Sequence, residues 1–142
     1  MRDSSKTPAE VGRLWFERMW DQREFHLIHE LLGENAIGHL EGGAEVVGPD
    51  AFVRFQEEFL EAIPDIRLKV NKLLSDQSDV CIHWSATGTH SGGGFGCNAT
   101  GCELMFQGVT WLRVQDGLIV EGWDFWNMDR LMRKMSGEAA GV

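Results

Sequence analysis

Two β-patterned runs, 103–114 and 118–126, meet at Asp116 and Gly117. An Asp-Gly pair between alternating hydrophobic segments is a strong short-range signal for a β-hairpin, because both residues tolerate the backbone that tight turns demand. The hairpin commits the C-terminal half of the chain to antiparallel sheet. Within its second strand, Asp124 lies between Trp123 and the Phe125–Trp126 pair. A carboxylate inside an aromatic strand is costly unless it is hydrogen-bonded, exposed or chemically used. Asp124 is therefore the first candidate for function.

The hairpin also sorts faces. If Gly117 takes the left-handed position of a three-residue loop, Val114 opposes Leu118 and Thr110 opposes Gly122. Asp124 then shares its face with Leu112, Val114, Val120 and Trp126. The other face carries Trp111, Arg113, Ile119, Glu121, Trp123 and Phe125, and Arg113 and Glu121 mark it as the outer one. A two-residue turn would shift these pairings. Trp111 and Trp123 on an outer face form an apolar patch, which predicts a homodimer interface.

Upstream, residues 1–6 read as a frayed tail. Thr7, Pro8 and Glu10 supply an N-cap, a first-turn proline and a capping-box glutamate. The helix they open runs to about Trp20, with Val11, Leu14, Trp15 and Met19 on one face. A short helix fits Phe25 to Leu32, ended by Gly33, and a strand follows over Asn35 to Gly43. Pro49 and Asp50 open a third helix bearing Phe52, Phe55, Phe59 and Ile63, which Pro64 stops. Ile66, Leu68 and Val70 alternate with polar residues as a half-buried strand. Ser75 to Asp79 turns the chain into a strand from Val80 to His90, and a Gly-rich loop over 91–101 leads to the hairpin. A last helix covers about Met128–Met135, with 137–142 disordered. The order α-α-β-α-β-β-β-β-α makes residues 1–142 a single α+β domain, one bent sheet wrapped against helices.

Six Trp and eight Phe with no Tyr suggest a large aromatic pocket or a sticky interface. The net charge of -9 argues against nucleic acid and anionic membranes as partners and favours an uncharged, apolar small molecule. Cys81, Cys97 and Cys102 lack metal or redox spacing and read as reduced thiols of a cytoplasmic protein, with a Cys97–Cys102 loop disulfide as the other arrangement. No leader or membrane-spanning segment is expected.

Several short pieces now line up in order: Ile63-Pro64-Asp65 before a strand, Trp84 through Gly88-Thr89-His90 before the Gly-rich loop, Thr100-Gly101 before Phe106-Gln107-Gly108, Arg113 to Gly117, and Trp123-Asp124. In them the chain resembles the polyketide-cyclase-like (SnoaL-like) family of the nuclear-transport-factor-2-like superfamily, from the Trp15 helix to Met135. The resemblance implies a cystatin-like roll: a cone in which a strongly curved mixed or antiparallel sheet and a long helix enclose an apolar pocket, often as a dimer. The fold hosts cyclases, isomerases, epoxide hydrolases and non-catalytic binders, so it does not decide function. In characterised cyclases of the family, an aspartate at the position of Asp124 is the acid/base of an intramolecular aldol closure. A histidine of the preceding strand assists in some members; here Thr110 stands near that point.

Chemically, Asp124 in a desolvated pocket would have a raised pKa and could shuttle protons with no metal and no cofactor. Its bland role would be to cap the last helix or accept backbone amides. His39 on the early strand and His90 beside the loop are further catalytic candidates, able to polarise a carbonyl or partner Asp124. His83 alternates with Trp84, and Trp84 is expected to face the pocket. His26 and His29 belong on a surface helix. A metal set of His39, His83, His90, Asp124 and Glu41 lacks any local ligand pair, and no Gly-x-Ser-x-Gly elbow is present. Trp15, Met19, Phe55, Phe59, Trp84, Thr110 and Trp126 are expected to contact substrate, with Phe95 plugging a mobile lid formed by the Gly-rich loop. The leading expectation is a cofactor-independent cyclase or isomerase of an apolar carbonyl compound. A binder using the same pocket is the alternative. An epoxide hydrolase is weaker, since it wants two acids and an arginine, and Arg113 is expected to face outward.

Overall fold

The structure, a computed structural model, describes residues 6–41, 43–94 and 98–135. Both expected terminal tails, Lys6 aside, lie outside them, as do Phe95 and Cys97.

The chain enters its first helix through the expected capping box. Thr7 Oγ1 accepts from the Glu10 amide at 3.1 Å, and the Glu10 carboxylate accepts from the Thr7 amide at 3.3 Å. Helix α1 spans Pro8–Arg13 and continues without a break into a π-helical segment, Leu14–Asp21. The sequence predicted one ordinary helix here. Instead the ladder widens, so that the Gln22 amide donates to the Glu17 carbonyl at 3.2 Å. An i→i+5 ladder brings residues four and five apart onto one face. Trp15, Phe16, Met19 and Trp20 are accordingly all buried. Asp21 anchors the segment, accepting from Arg67 Nε at 2.8 Å, Arg67 Nη2 at 2.9 Å and the Leu68 amide at 2.9 Å. The Arg67 bonds hold its carboxyl below the usual range.

Helix α2, Leu27–Leu31, is shorter than the expected one and passes directly into β1, Leu32–His39. A three-residue strand, β2 (Glu45–Val47), was not foreseen; it is too short to show a period. Helix α3, Gly48–Ala62, carries Pro49 in its first turn and ends before Pro64. The remaining elements are β3 (Arg67–Ser75), β4 (Asp79–Thr89), β5 (Glu103–Gln115), β6 (Leu118–Trp126) and α4 (Met128–Met135).

Six strands form one curved sheet in the order β2-β1-β6-β5-β4-β3, wrapped against the N-terminal helices. All neighbours are antiparallel except β1 and β6, which run parallel. The fold is therefore the expected α+β class with a mixed sheet. The hairpin register differs from the expectation. Asp116 (φ 53) and Gly117 (φ 77) both adopt positive φ, which makes a two-residue turn. Gln115 then pairs with Leu118 and Val114 with Ile119, and a bulge at Val120 carries the ladder on to Arg113–Glu121 and Thr110–Asp124. Thr110 is therefore faced by Asp124, not by Gly122 as expected. Ile119 turns inward at 2% exposure, contrary to its outer-face assignment, because the extra residue at Val120 resets the pleat there. Beyond the bulge the register has moved by two residues. Since side chains alternate with period two, Asp124, Trp126 and Leu112 keep their shared inner face.

The core lies between this inner face and the helices, from Val11, Ile28 and Leu31 to Ile82, Leu112 and Leu131. Among the described residues, no helix is long and apolar enough to cross a membrane.

Candidate active site

Between α3, the π-helical segment and the concave face of the sheet lies a cavity of about 100 Å³. Its wall is aromatic. Trp15 and Trp20 come from the π-helical segment, Phe52, Phe55 and Phe59 from α3, and Trp84, Phe106 and Trp126 from the sheet. The rings interlock, with centroids 5.0 Å apart for Trp15–Phe52, 5.2 Å for Phe55–Phe59, 5.8 Å for Phe59–Trp126 and 5.3 Å for Phe106–Trp126. Tilted and edge-on contacts of this kind favour a rigid wall.

Three polar side chains interrupt that wall, one from each of three adjacent strands. Trp84 Nε1 donates to Thr110 Oγ1 at 2.9 Å, and the Thr110 hydroxyl donates to Asp124 Oδ1 at 2.7 Å. The Asp124 carboxyl lines the cavity and keeps part of its surface accessible there, but is otherwise enclosed by protein. Desolvation pushes its pKa up to about 6; the Thr110 bond opposes the rise and the charge of Glu41 adds to it. Among the described residues, Asp124 is the only acidic or basic side chain in the wall. A carboxyl so placed can take a proton from a bound molecule and give it back.

Of the residues singled out from the sequence, Trp15, Phe55, Phe59, Trp84, Thr110, Asp124 and Trp126 meet at this cavity. Met19 does not. It is fully buried beneath the wall, where its sulfur accepts from Gln56 Nε2 at 3.1 Å. His39 is also elsewhere: β1 turns it to the outer side of the sheet, where it stacks on Trp123 at 5.4 Å. There Nε2 lies 2.7 Å from Glu121 and Nδ1 3.2 Å from Glu45. His90 is buried at the end of β4, away from the cavity, with Nδ1 2.9 Å from Thr100 Oγ1 and, among the described residues, no partner for Nε2. The sequence puts the two histidines near the pocket only if their strands turn the same way, and it cannot show which strands pair. His83 faces away, 2.8 Å from Gln107 Oε1, and His26 and His29 are exposed on α2 or just before it.

Phe95 lies outside the described residues. Of the expected lid, Gly92 packs on the end of α3, its amide donating to the Ala62 carbonyl at 3.1 Å, and no described residue of the loop lines the cavity. Ile37, Leu40 and Val46 of the β1–β2 hairpin line the cavity instead. Glu41 on that hairpin, considered from the sequence only as a metal ligand, acts on Asp124 through its charge. Phe52 and Phe106 were legible only as parts of a helix face and a strand motif. Among the described residues, no group of three His, Cys, Asp or Glu is placed to hold a metal ion. Arg113 faces outward as expected, its guanidinium carbon 5.5 Å from the Trp123 ring centre and its Nε 3.3 Å from Asp79.

Comparison with known proteins gives a consistent relationship. The family model of SnoaL-like polyketide cyclases matches residues 10–135. Among solved structures, the chain is similar to a provisional SnoaL-like polyketide cyclase from Jannaschia sp. CCS1, with 18% identity and a TM-score of 0.84 over 95% of this chain and 99% of that one. It is similar to AclR, a provisional hydroxylase from Streptomyces galilaeus, at 29% identity and a TM-score of 0.79, covering 96% and 86%. IdmH, a provisional polyketide cyclase from Streptomyces antibioticus, shares 21% identity with a TM-score of 0.79, covering 93% and 99%. No curated protein matches the chain.

Proposed function

Since the chain belongs to the SnoaL-like polyketide cyclase family, we propose that it closes a ring in, or isomerises, an apolar, carbonyl-bearing polyketide-like molecule without a cofactor, using Asp124 as acid/base. One observation carries this reading: a carboxyl with a pKa raised to about 6 stands as the single acidic or basic group of the described, mostly aromatic and aliphatic wall. At neutral pH most of it is ionised and basic, and its conjugate acid is strong enough to return the proton.

The reaction begins when Asp124 removes a proton from carbon next to a carbonyl. The C–H electron pair becomes an enolate, whose carbon bonds to a second carbonyl carbon of the same molecule. The π pair of that carbonyl moves to oxygen as an alkoxide, which takes the proton back from Asp124. Isomerisation uses the same removal and return without the carbon–carbon bond. The aromatic wall holds the chain folded so that the two carbons meet. His39 and His90, neither of them in the wall, have no direct part in this scheme.

The first half of the chemistry is testable before the natural substrate is identified. In D₂O, the protein should catalyse deuterium uptake at the α-carbon of cyclic 1,3-diketones, and Asp124→Asn should slow that uptake by about 10²-fold or more. Equal exchange in both proteins would remove Asp124 from the reaction. The second reading, a non-catalytic binding protein, is favoured by the lack of a second titratable group in the described wall. It would show as tight binding of the same diketones with no exchange in either protein. An epoxide hydrolase fits less well, because the described wall holds neither an arginine nor a second carboxylate.

The same reading includes a homodimer through the outer sheet face of Trp111 and Trp123; Trp111 is 39% and Phe125 54% exposed, while Trp123 is partly covered by His39 and Arg113.

A further inference from the structure

The hydrogen bonds at Asp124 have a direction as well as a length. An indole N–H can only donate, whereas a threonine hydroxyl carries one proton and two acceptor sites. Trp84 Nε1 therefore occupies one lone pair of Thr110 Oγ1, which leaves the single Thr110 proton for Asp124 Oδ1. These are the only two hydrogen bonds of that hydroxyl among the described residues. If Thr110 instead accepted from a protonated Asp124, its own proton would point into an apolar wall with no acceptor, at a cost that buried polar groups avoid. Trp84 and Thr110 are both buried, at 5% and 4% exposure.

The sheet is built to allow the chain of bonds. Trp84 pairs with Gly108 and Thr110 with Asp124, so the indole must reach diagonally across β5 to find Thr110. It crosses the space above Gly108, where a Cβ would sit 2.8 Å from Trp84 Cζ2 and 2.6 Å from Trp126 Cβ. Any side chain at Gly108 would displace one of the two indoles.

We propose that Trp84 and Thr110 are positioning residues which keep the Thr110 proton on Asp124 Oδ1, so that the proton exchanged with substrate resides on Oδ2. Oδ2 has no hydrogen-bond partner among the described residues and is left to the bound molecule. The catalytic meaning of the arrangement rests on the acid/base reading above, but its geometry does not. One carboxyl oxygen is anchored to the sheet and the other does the chemistry, so removal and return of the proton occur from one fixed point.

The test is an NMR titration of the whole protein that follows the Asp124 carboxyl carbon and the Trp84 indole N–H, assigned with Asp124→Asn and Trp84→Phe. In the wild type, the indole proton should shift with the same midpoint as the carboxyl, because the hydroxyl transmits the change of charge. Thr110→Ser should keep the coupling. Thr110→Val should abolish it and raise the Asp124 midpoint by about one pH unit, a tenfold change in proton affinity. An indole signal that stays flat through the wild-type midpoint would overturn the proposal, even if no variant folds; so would an unmoved midpoint in Thr110→Val or loss of coupling in Thr110→Ser. A coupled titration in a protein that exchanges no α-protons would sink the acid/base reading and sustain the bond chain. Exchange with a flat indole would do the reverse.

Discussion

At Asp124, burial and hydrogen bonding pull in opposite directions, and burial wins. Its folded pKa of about 6 lies above the ordinary carboxyl value of ~3.9. The folded state thus binds this proton more tightly than the unfolded chain does. Below about pH 4 the group is neutral in both states and costs nothing; the penalty grows as pH rises from about 4 to 6 and is constant above. A difference of about two pH units corresponds to a penalty of up to about 3 kcal/mol. Asp124→Asn should therefore raise the urea midpoint at pH 8 while leaving it nearly unchanged at pH 4. An equal effect at both pH values would mean that burial does not raise the pKa of this carboxyl. Asp124 was legible in the sequence because a charge between aromatic residues is an anomaly. His39 and His90 are not anomalous, and their distance from the cavity follows from strand pairing. Parallel β1 stacks His39 on Trp123, outside the sheet. No local pattern reports a pairing between residues 82 and more positions apart, such as His39 with Glu121.

The elements themselves were more legible than their joints. The capping box, α3 and its proline stop, β3, β4, the hairpin strands and α4 all follow from periodicity and punctuation. The π-helical segment does not. Buried residues at 15, 16, 19 and 20 suit an ordinary helix face almost as well, and the widened ladder shows only in the backbone. The Asp116–Gly117 turn was recognised, but its length was not, because an Asp-Gly pair serves two-residue and three-residue loops alike. The cost was a register error of two residues, which hid the opposition of Thr110 and Asp124. Gly108 is the element-scale position with the sharpest consequence. Gly108→Ala places a methyl group 2.8 Å from both the Phe125 carbonyl oxygen and the Trp84 ring. Overpacking of this kind costs about 1–3 kcal/mol. Chemical denaturation should show that loss together with a changed Trp84 indole signal; an unchanged indole would mean that the ring does not depend on the gap.

On the scale of the whole molecule, the sheet has two unlike faces. The concave one is filled by helices and the cavity. The convex one exposes Met105 at 78%, Phe125 at 54% and Trp111 at 39%, beside the ion pair of Arg113 and Asp79. If this face joins two copies, Trp111→Glu should shift sedimentation velocity from dimer to monomer and leave α-proton exchange in place. A wild-type monomer at micromolar concentration would contradict the interface. The cone also explains why substrate identity is not written in the chain. The cavity wall is assembled from the π-helical segment, α3 and the strands, and its shape depends on how far each projects.

The account turns on the state of one carboxyl in that cavity. Its direct measurement is a carboxyl-carbon NMR titration of Asp124, assigned against Asp124→Asn. A midpoint near 6 is the result predicted from its burial in the aromatic wall. A midpoint at or below ~3.9 would show an exposed or fully hydrogen-bonded carboxylate, and would contradict the role given to Asp124.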